Sequence, residues 1–450
     1  MPAKLPPPQP VYILRGHAAP IHAVHFFNKN LRLVSGDAEG WIVVWSIITK
    51  RPIAVWKGHE KAILGLKSWG QDRVVSHGRD DRIYIWHLPL TPQSQLSTSL
   101  PVDSPTQHHK SPWLLHSLKV NALNFCAFSM CLIPSPASQA SSSSADRDRD
   151  GEALIAVPGL EDSEAIDIMH VPSGERSSTI SAPKGLKTGM VMALGIYILC
   201  SLSSDSSSKQ IIYVAAGYES GHVVLYSCMD ALISQSQSPS PTPTTHTDQE
   251  KETQLHPPNA QAWTWQTLST SQLHTETTLS LSLQPSTQPP PPTFFLTTSA
   301  DANIAKHPIP LPTSPLPQTP PPKVLNTHHS GTPSISLRND SRIFATAGWD
   351  GRGRMYSTKG MREIAVLKWH GKGCYCVAVG DVEVDGDGDG DGKVEIKAGG
   401  GGEEGGDVVE RTVGSGSLGI VGRERERRVM GTHWVALGSK DGKISLWDVC

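Results

Sequence analysis

Two short motifs in the sequence imitate sites that bind a metal ion or a nucleotide. The run DGDGDGDG, residues 385–392, places carboxylates at the first, third and fifth positions of a calcium-binding loop. The twelfth position of such a loop needs a bidentate glutamate, and here it is Ile396. The run GSGSLG, residues 414–419, has the spacing of a dinucleotide-binding turn, but it lies in a glycine-rich stretch and is followed by the charged run GRERERR. We interpret the first run as a low-complexity acidic loop, reject the second as a nucleotide site, and interpret the charged run RERERR, residues 423–428, as a solvated loop.

His370, Cys374 and Cys376 combine side chains that zinc prefers. The two cysteines occupy alternate, inward positions of an apolar strand, so we interpret them as packed thiols. The sequence has no Gly-x-Ser-x-Gly elbow, no phosphate-binding loop of the Walker type and no His-Glu-x-x-His helix. We therefore predict no metal, no cofactor and no enzyme activity.

The elements that would position these residues belong to a repeat of about 40 residues. Residues 14–45 and 56–86 share four landmarks in register: a Gly-His pair, a strand, a polar turn with an acid, and a strand that ends on tryptophan. On these landmarks the chain resembles the WD-repeat family, in which each unit has four strands. Degraded copies follow at residues 118–128 together with 151–171, which form one unit, and at residues 214–226, 295–307 and 344–356, and the last and best-preserved copy is residues 435–448.

Seven such units predict an all-β fold, a seven-bladed WD-repeat β-propeller with long disordered loop insertions. A single small sheet cannot bury both of its faces, so the blades must pack radially on their neighbours. The last unit lacks a fourth strand, whereas residues 11–15 (VYILR) precede the first Gly-His pair as an unassigned strand. We predict that this N-terminal strand completes the last blade and closes the ring, which removes an exposed edge.

The expected blades span residues 14–56, 56–88, 113–171, 186–228, 263–307, 323–358 and 364–450 of one domain. Stretches rich in Ser, Pro, Thr or Gly cannot offset their ordering entropy and are expected to form mobile loops. These insertions are residues 89–112, 134–150, 229–260, 308–322 and 381–430.

The resemblance also implies a structural role for several polar residues. In the family, the turn acid orients the loop histidine, which bridges to a Ser or Thr and to the strand tryptophan. The residues assigned to these positions are His17, Glu39, Trp45, His59, Ser76, Asp80, Trp86, Asp350, Asp441 and Trp447. The upstream histidine for Asp350 is His329, and Leu437 occupies the Ser position of the last unit.

Composition limits the class of partner. The 450 residues include 40 Lys plus Arg and 42 Asp plus Glu, so no global field would attract nucleic acid or an anionic membrane. The seven cysteines are scattered, which argues against a disulfide framework. The most apolar run, residues 189–200, is too short for a membrane helix, and the first ten residues lack a signal-peptide core. We expect a soluble intracellular protein.

Five segments carry a closer resemblance: PVYILRGHAAPIHAVHF, LVSGDAEGWIVVW, DDRIYIW, FATAGWDGRGRMYS and VALGSKDGKISLWD. They resemble the fungal ASTRA-associated WD-repeat proteins, which are related to the G-protein β-subunit-like proteins of animals. The resemblance covers about half of the chain. It implies a nuclear scaffold subunit of a multiprotein complex that is linked to chromatin remodelling and to the assembly of phosphatidylinositol-3-kinase-related kinases.

A second hypothesis is a substrate receptor of a cullin-type ubiquitin ligase, or another generic WD-repeat adaptor. Such receptors often carry Trp-Asp-x-Arg after the third strand, but this chain has WSII, WHLP and WDVC at those places. This departure weakens the hypothesis without removing it.

Candidate partner-binding residues stand immediately before each turn acid, on the face that carries the Gly-His loops. They are Arg79, Trp349 and Lys440, with Glu219 at the matching position of the fourth unit and Ala38 in the first. Trp and Arg are enriched at interaction hot spots, so Arg79 and Trp349 are the leading candidates. The alternative is that they only stack on neighbouring loops.

Overall fold

The computed structural model describes residues 8–89, 96–103, 109–121, 123, 125–134, 151–201, 209–229, 263–284, 292–310, 320–382 and 416–449. These residues form seven four-stranded antiparallel sheets and one helix. The sheets form a ring, so the predicted seven-bladed β-propeller is confirmed. Among the described residues, no helix combines the length and the apolar character needed to cross a bilayer.

The blades are numbered in chain order, and their strands run from the axis outward. Blades 1 to 3 consist of β2 (Ile21–Phe27), β3 (Arg32–Asp37), β4 (Trp41–Ser46) and β5 (Arg51–Lys57); β6 (Ile63–Trp69), β7 (Arg73–Gly78), β8 (Arg82–His87) and β9 (Trp113–Lys119); and β10 (Ser129–Leu132), β11 (Ala153–Pro158), β12 (Ile166–Val171) and β13 (Arg176–Ile180).

Blades 4 to 6 consist of β14 (Val191–Ser201), β15 (Lys209–Tyr218), β16 (His222–Cys228) and β17 (Trp265–Gln272); β18 (Thr278–Leu283), β19 (Phe294–Ser299), β20 (Asn303–Pro308) and β21 (Lys323–Asn326); and β22 (Ser334–Leu337), β23 (Ile343–Ala347), β24 (Arg352–Ser357) and β25 (Arg362–Lys368). Blade 7 consists of β26 (Cys374–Val379), β27 (Trp434–Ser439), β28 (Lys443–Asp448) and β1 (Tyr12–Arg15), with helix α1 (Gly416–Met430) between β26 and β27.

The core is divided among the boundaries between blades. Seven clusters of buried apolar residues lie one at each boundary, so every blade is covered on both faces. The middle strands therefore read as continuous apolar runs: β4 (WIVVWS) is buried at five of its six positions and β27 (WVALGS) at all six. A strict alternation of apolar and polar residues would be expected only if one face of each blade were exposed to solvent.

Strand β1 completes blade 7 as predicted. It pairs antiparallel with β28 in a register that places Tyr12 opposite Leu446 and Arg15 opposite Lys443. The side chain of Leu14 is 1% exposed and belongs to the cluster between blades 7 and 1. One strand thus hydrogen-bonds to the last blade and fills the core that the last blade shares with the first.

Turn glycines join each blade to the loop of the next. Gly40 (φ +85°) and Gly442 (φ +74°) occupy the left-handed region between the second and third strands of blades 1 and 7. A Cβ on Gly40 would come within 2.0 Å of the His59 carbonyl oxygen, and a Cβ on Gly442 within 2.5 Å of the His17 oxygen. Each turn therefore packs directly beneath the histidine loop of the following blade.

The innermost strands line a central channel of about 580 Å³. Their channel-facing edges have no further strand to pair with, and hydroxyl groups of the preceding blade accept some of the free N–H groups. The bonds run from Ile196 to Ser129, from Ile335 to Ser280, from Leu337 to Ser282, from Val377 to Ser334 and from Val379 to Ser336, at 3.1 to 3.3 Å. We call these five bonds the serine ladder.

The blade boundaries differ from the expected ones. The sequence-based limits group four outermost strands with the following blade: β9 was assigned to 113–171, β17 to 263–307, β21 to 323–358 and most of β25 to 364–450, whereas β13 fell between 113–171 and 186–228. Residues 118–128 were expected to form the first strand of blade 3, but that strand is β10. The reason is that the outer strands carry none of the repeat's landmarks.

Part of the insertion at 89–112 is packed against blade 1 instead of forming a mobile loop. The Ser97 carbonyl accepts the N–H of Val55 at 2.8 Å, which adds a contact to the outer strand β5. The buried His109 ring packs edge-on against Trp41 with the centroids 4.9 Å apart. These contacts cover apolar surface that would otherwise face water.

Helix α1 also corrects an expectation, because the run RERERR within 381–430 was interpreted as a solvated loop. Arg and Glu favour helices, and Glu424 and Arg427 approach to 3.5 Å at (i, i+3). The helix is anchored at its C-terminal end, where Val429 is buried and its carbonyl accepts the Trp434 indole N–H at 2.9 Å. Residues 385–392 and most of the other insertions lie outside the described residues.

Candidate protein-interaction face

We define the loop face as the end of the ring that carries His17, His59, His274 and His370 and the turns between second and third strands. His, Ser and Asp side chains on this face are of the types found in catalytic sites. Their hydrogen-bond partners show whether they are available for chemistry or have a structural role. Among the described residues, no group of three or more His, Cys, Asp or Glu is arranged to hold a metal ion.

In blade 2, four side chains form one hydrogen-bonded set. His59 Nδ1 lies 2.8 Å from Asp80 and its Nε2 lies 2.8 Å from Ser76 Oγ, which also accepts the Trp86 indole N–H at 2.8 Å. Burial opposes the ionisation of Asp80, but hydrogen bonds from His59 and from the Glu60 N–H outweigh it and lower the pKa of this carboxyl. The set ties the histidine loop to the turn and to two strands.

Blade 1 has the same set, with a different acid from the one expected. His17 Nδ1 lies 2.7 Å from Asp37 Oδ2, and Ser35 Oγ contacts His17 Nε2 at 2.7 Å and accepts the Trp45 N–H at 2.9 Å. Glu39, assigned as the turn acid, is exposed, and its backbone N–H donates to Asp37. The shorter Asp37 side chain fits the buried position beneath His17.

Blades 5 and 7 keep the set with substituted members that the sequence analysis missed. In blade 7, Ser445 lies directly opposite Leu437 and supplies the hydroxyl: it contacts His370 Nε2 at 2.9 Å and accepts the Trp447 N–H at 2.8 Å, while His370 Nδ1 lies 3.3 Å from Asp441. The corresponding residues of blade 5 are His274, Thr297, Asp301 and His307. A hydroxyl on the neighbouring strand can take the place of the missing Ser or Thr, because residues directly opposite each other on paired strands point to the same face of the sheet.

In blade 6 an arginine replaces the histidine. Asp350 accepts two bonds from the guanidinium of Arg354, at 2.6 and 3.2 Å, and the Arg354 side chain is 5% exposed. His329, the expected partner, lies in an exposed loop, where its backbone N–H and carbonyl both hydrogen-bond with the Thr327 hydroxyl. The prediction that His329 pairs with Asp350 is therefore wrong.

The cysteines near His370 are packed thiols in the structure. Cys374 and Cys376 are buried, and burial raises the pKa of the Cys374 thiol to about 12. A metal would need the thiolate, and His370 is already engaged by Asp441 and Ser445.

We predict that Ser76→Ala destabilises the protein by about 3 kcal/mol, because the Trp86 donor and the His59 acceptor both become unsatisfied in a buried place. Urea unfolding followed by tryptophan fluorescence measures the change. Ser117→Ala, at an exposed position of the same blade, is the matched control and should change stability by less than about 0.5 kcal/mol. Equal effects of the two substitutions would contradict a structural role for the set.

Apart from Ala38, whose side chain is a single methyl group, four partner-binding candidates remain, and all four lie on the loop face. Three occupy equivalent positions, where the backbone N–H donates to the carbonyl just before the innermost strand: Arg79 to Ala62, Glu219 to Met190 and Lys440 to Gly373, each at 2.9 Å. Trp349 differs, since its N–H donates to Gly331, and its ring covers that glycine.

Their side chains differ in availability. Arg79 is half-buried, and its guanidinium lies 4.2 Å from the centre of the Phe125 ring, so it is partly engaged within the protein. Trp349 is 48% exposed, and Lys440 and Glu219 are exposed. A groove of about 570 Å³ between blades 1 and 2 is lined by Arg79 together with charges of both signs. Trp349 is thus the most accessible large anchor among the four.

Comparison with known proteins finds one family along nearly the whole chain. The family model of ASTRA-associated protein 1 matches residues 10–447. Proteins of that name from Penicillium rubens and Aspergillus niger are each 42% identical to this chain, over 467 and 460 residues, and the alignments cover at least 98% of both partners. The protein of that name from Schizosaccharomyces pombe is 29% identical over 402 residues, which cover 82% of this chain and 93% of that protein.

Proposed function

The chain belongs to the family of ASTRA-associated protein 1, and from this membership we propose that it is a non-catalytic scaffold subunit of an ASTRA-type multiprotein complex. The observation that carries the proposal is the state of the loop face. Its histidines and acids are held in hydrogen bonds within the protein in blades 1, 2, 5 and 7, whereas side chains such as Trp349 and Lys440 project to solvent. Such a face can present contacts at fixed spacing.

The finer part of the proposal concerns the complex and its place in the cell. We infer a nuclear complex linked to chromatin remodelling and to the assembly and stability of phosphatidylinositol-3-kinase-related kinases, with large helical-repeat proteins as the partners. The support for this part is the name of the relatives and the sequence resemblance.

Tagged purification followed by mass spectrometry tests the proposal. We expect the full chain to recover a set of large subunits in fixed ratio. Recovery of a cullin adaptor in their place would favour the ubiquitin-ligase hypothesis. Imaging of the tagged chain tests the nuclear location, and a purely cytoplasmic signal would contradict it.

A single substitution tests the loop face itself. We predict that Trp349→Ala reduces the recovered partners about tenfold or more, as expected for a hot-spot tryptophan, while the melting temperature changes little. Trp113→Ala is the matched control: Trp113 is 75% exposed but lies on the outer strand β9 of blade 2. Loss of partners together with a large fall in melting temperature would make Trp349 a structural residue.

A further inference from the structure

The exposed Trp349 ring lies in a basic part of the loop face. Blades 6 and 7 bring five cations to the surrounding turns and strand ends: Arg352, Lys368, Lys372, Lys440 and Lys443. We call Trp349 and these five cations the Trp349 patch.

Backbone contacts place the members of this patch together. The loop of residues 371–373 packs against Trp349, because a Cβ on Gly373 would lie 2.9 Å from the Trp349 carbonyl oxygen. Lys440 donates its N–H to that same Gly373, so Lys372 and Lys440 flank the tryptophan. Arg352, three residues after Trp349 in the sequence, is the first residue of strand β24.

The charges of the patch are only partly balanced by neighbouring acids, since Asp350 interacts with Arg352 as well as with Arg354. Arg352 lies directly opposite Lys368 in the register of β24 and β25, and like charges at facing positions repel. Within the described residues, none of Arg352, Lys368, Lys372 and Lys440 lies within 4.0 Å of a carboxylate oxygen in an ion pair, and the neighbouring Asp350 and Asp441 contact Arg354 and His370 instead. Four of the five cations are exposed, and Lys443 is half-buried with its Nζ 5.8 Å from the Trp369 ring centre.

The nearest acids are already used. Asp350 is engaged by Arg354 at 2.6 Å, and Asp441 lies 3.3 Å from His370. The patch therefore offers positive charge around an apolar anchor, and repulsion within it would be relieved by an anion.

The opposite part of the loop face carries exposed acids beside two exposed lysines, Lys184 and Lys187. Glu161 and Asp162 on blade 3 and Glu219 on blade 4 are exposed. A long polyanion such as duplex DNA would meet these acids if it crossed the face, whereas a short acidic segment would contact the Trp349 patch alone.

We propose that the Trp349 patch binds an acidic protein segment that places a large apolar side chain on the Trp349 ring. This inference rests on the proposed scaffold function and names the chemistry of one partner. Carboxylates of the segment would pair with Lys372, Lys440 and Arg352, and the apolar residue would supply the desolvated centre that a hot spot needs.

Fluorescence anisotropy with the full chain tests the proposal. The probe is a fluorescein-labelled peptide of twelve residues, made of Asp and Glu with one central Leu, and the reference probe replaces the acids with Asn and Gln. We expect the acidic probe to bind, the reference probe not to bind, and the affinity to fall as salt rises. The double variant Lys372→Glu/Lys440→Glu should bind at least tenfold more weakly, and so should Trp349→Ala.

A matched variant controls for net charge. Lys184→Glu/Lys187→Glu reverses two exposed lysines in the loop that enters blade 4, beside the acidic part of the same face, and should leave the affinity within about twofold. Equal loss in both double variants would overturn the patch as a site. Tighter binding of a 20-base-pair duplex with the same dependence on Lys372 and Lys440 would overturn it in favour of nucleic acid.

The two proposals fail separately. If the acidic probe does not bind but the tagged chain still recovers its complex, the inference about the Trp349 patch is wrong and the scaffold function stands. If the chain recovers no complex, the scaffold function is wrong whatever the peptide does.

Discussion

Deletion of residues 8–15 should lower the free energy of unfolding by about 5 kcal/mol and the melting temperature by about 10 °C. The deletion removes strand β1, with it the buried Leu14 side chain in the core between blades 7 and 1, and exposes the edge of β28. Circular dichroism and calorimetry measure the loss, and gel filtration should show association through the bared edge.

Three variants separate the parts of this effect. Val11→Ser/Tyr12→Ser changes two side chains that are 49% and 41% exposed, keeps the backbone pairing, and should cost less than about 1 kcal/mol. Leu14→Ala keeps the strand but empties its core position, and should cost about 3 kcal/mol. A shortened chain that melts at the temperature of the intact one would contradict closure by β1.

Asp350→Ala should destabilise the protein by about 3 kcal/mol, because it leaves the guanidinium of Arg354 in a buried place without its bidentate partner. Arg354→Met should cost less, about 1 kcal/mol, since Asp350 keeps access to water. The double variant is expected to be more stable than Asp350→Ala alone. Additive losses from urea unfolding would show that the two side chains are independent.

The same pair sets a pH dependence. Burial opposes ionisation of Asp350, but hydrogen bonds from Arg354 outweigh it and lower the pKa of the carboxyl. A carboxyl with a lowered pKa in the folded state contributes stability that is present above the unfolded value, near 3.8, and is lost as the pH falls through the folded pKa. The stability difference between the natural chain and Asp350→Ala should therefore be full at pH 7 and shrink below about pH 4.

The ring and its closure could be predicted because several landmarks recur in the sequence at a nearly constant spacing. A Gly-His loop, a turn acid and a strand tryptophan recur in the sequence, and the strand at residues 11–15 had no place except beside β28. The outermost strands of blades 2 to 6 could not be assigned, since a strand such as β9 is mostly exposed and carries none of the landmarks of the repeat.

The members of the candidate site were less accessible to sequence reasoning. Ser445 replaces the hydroxyl missing at Leu437 from the opposite strand, and this exchange becomes visible only when the register of β27 and β28 is known. The choice of Asp37 and not Glu39 as the partner of His17 depends on the depth of the buried position beneath the histidine. The shorter side chain of Asp37 places its carboxylate within hydrogen-bond distance of His17 there. A search for Asp within two positions of the expected acid would have found it.

The basic surroundings of Trp349 illustrate a further limit. Arg352 and Lys368 are separated by a strand and a turn in the sequence, and Lys440 by a much longer stretch, so their charges add only after blades 6 and 7 are assembled. Net charge over the whole chain, which is close to zero, conceals such a local excess.

The serine ladder holds the innermost strands of adjacent blades together, so the central channel is expected to stay at a fixed width and not to open for a polypeptide. At the boundaries it spans, hydroxyls of one blade hold the inner rim of the next, so widening the opening enough for a polypeptide to thread would break several of these bonds together. Tension applied at one blade is then shared by its neighbours, and the loops above the rim keep their mutual spacing. A protein built in this way can act as a rigid scaffold that keeps the molecules bound to its loops at a constant distance from one another.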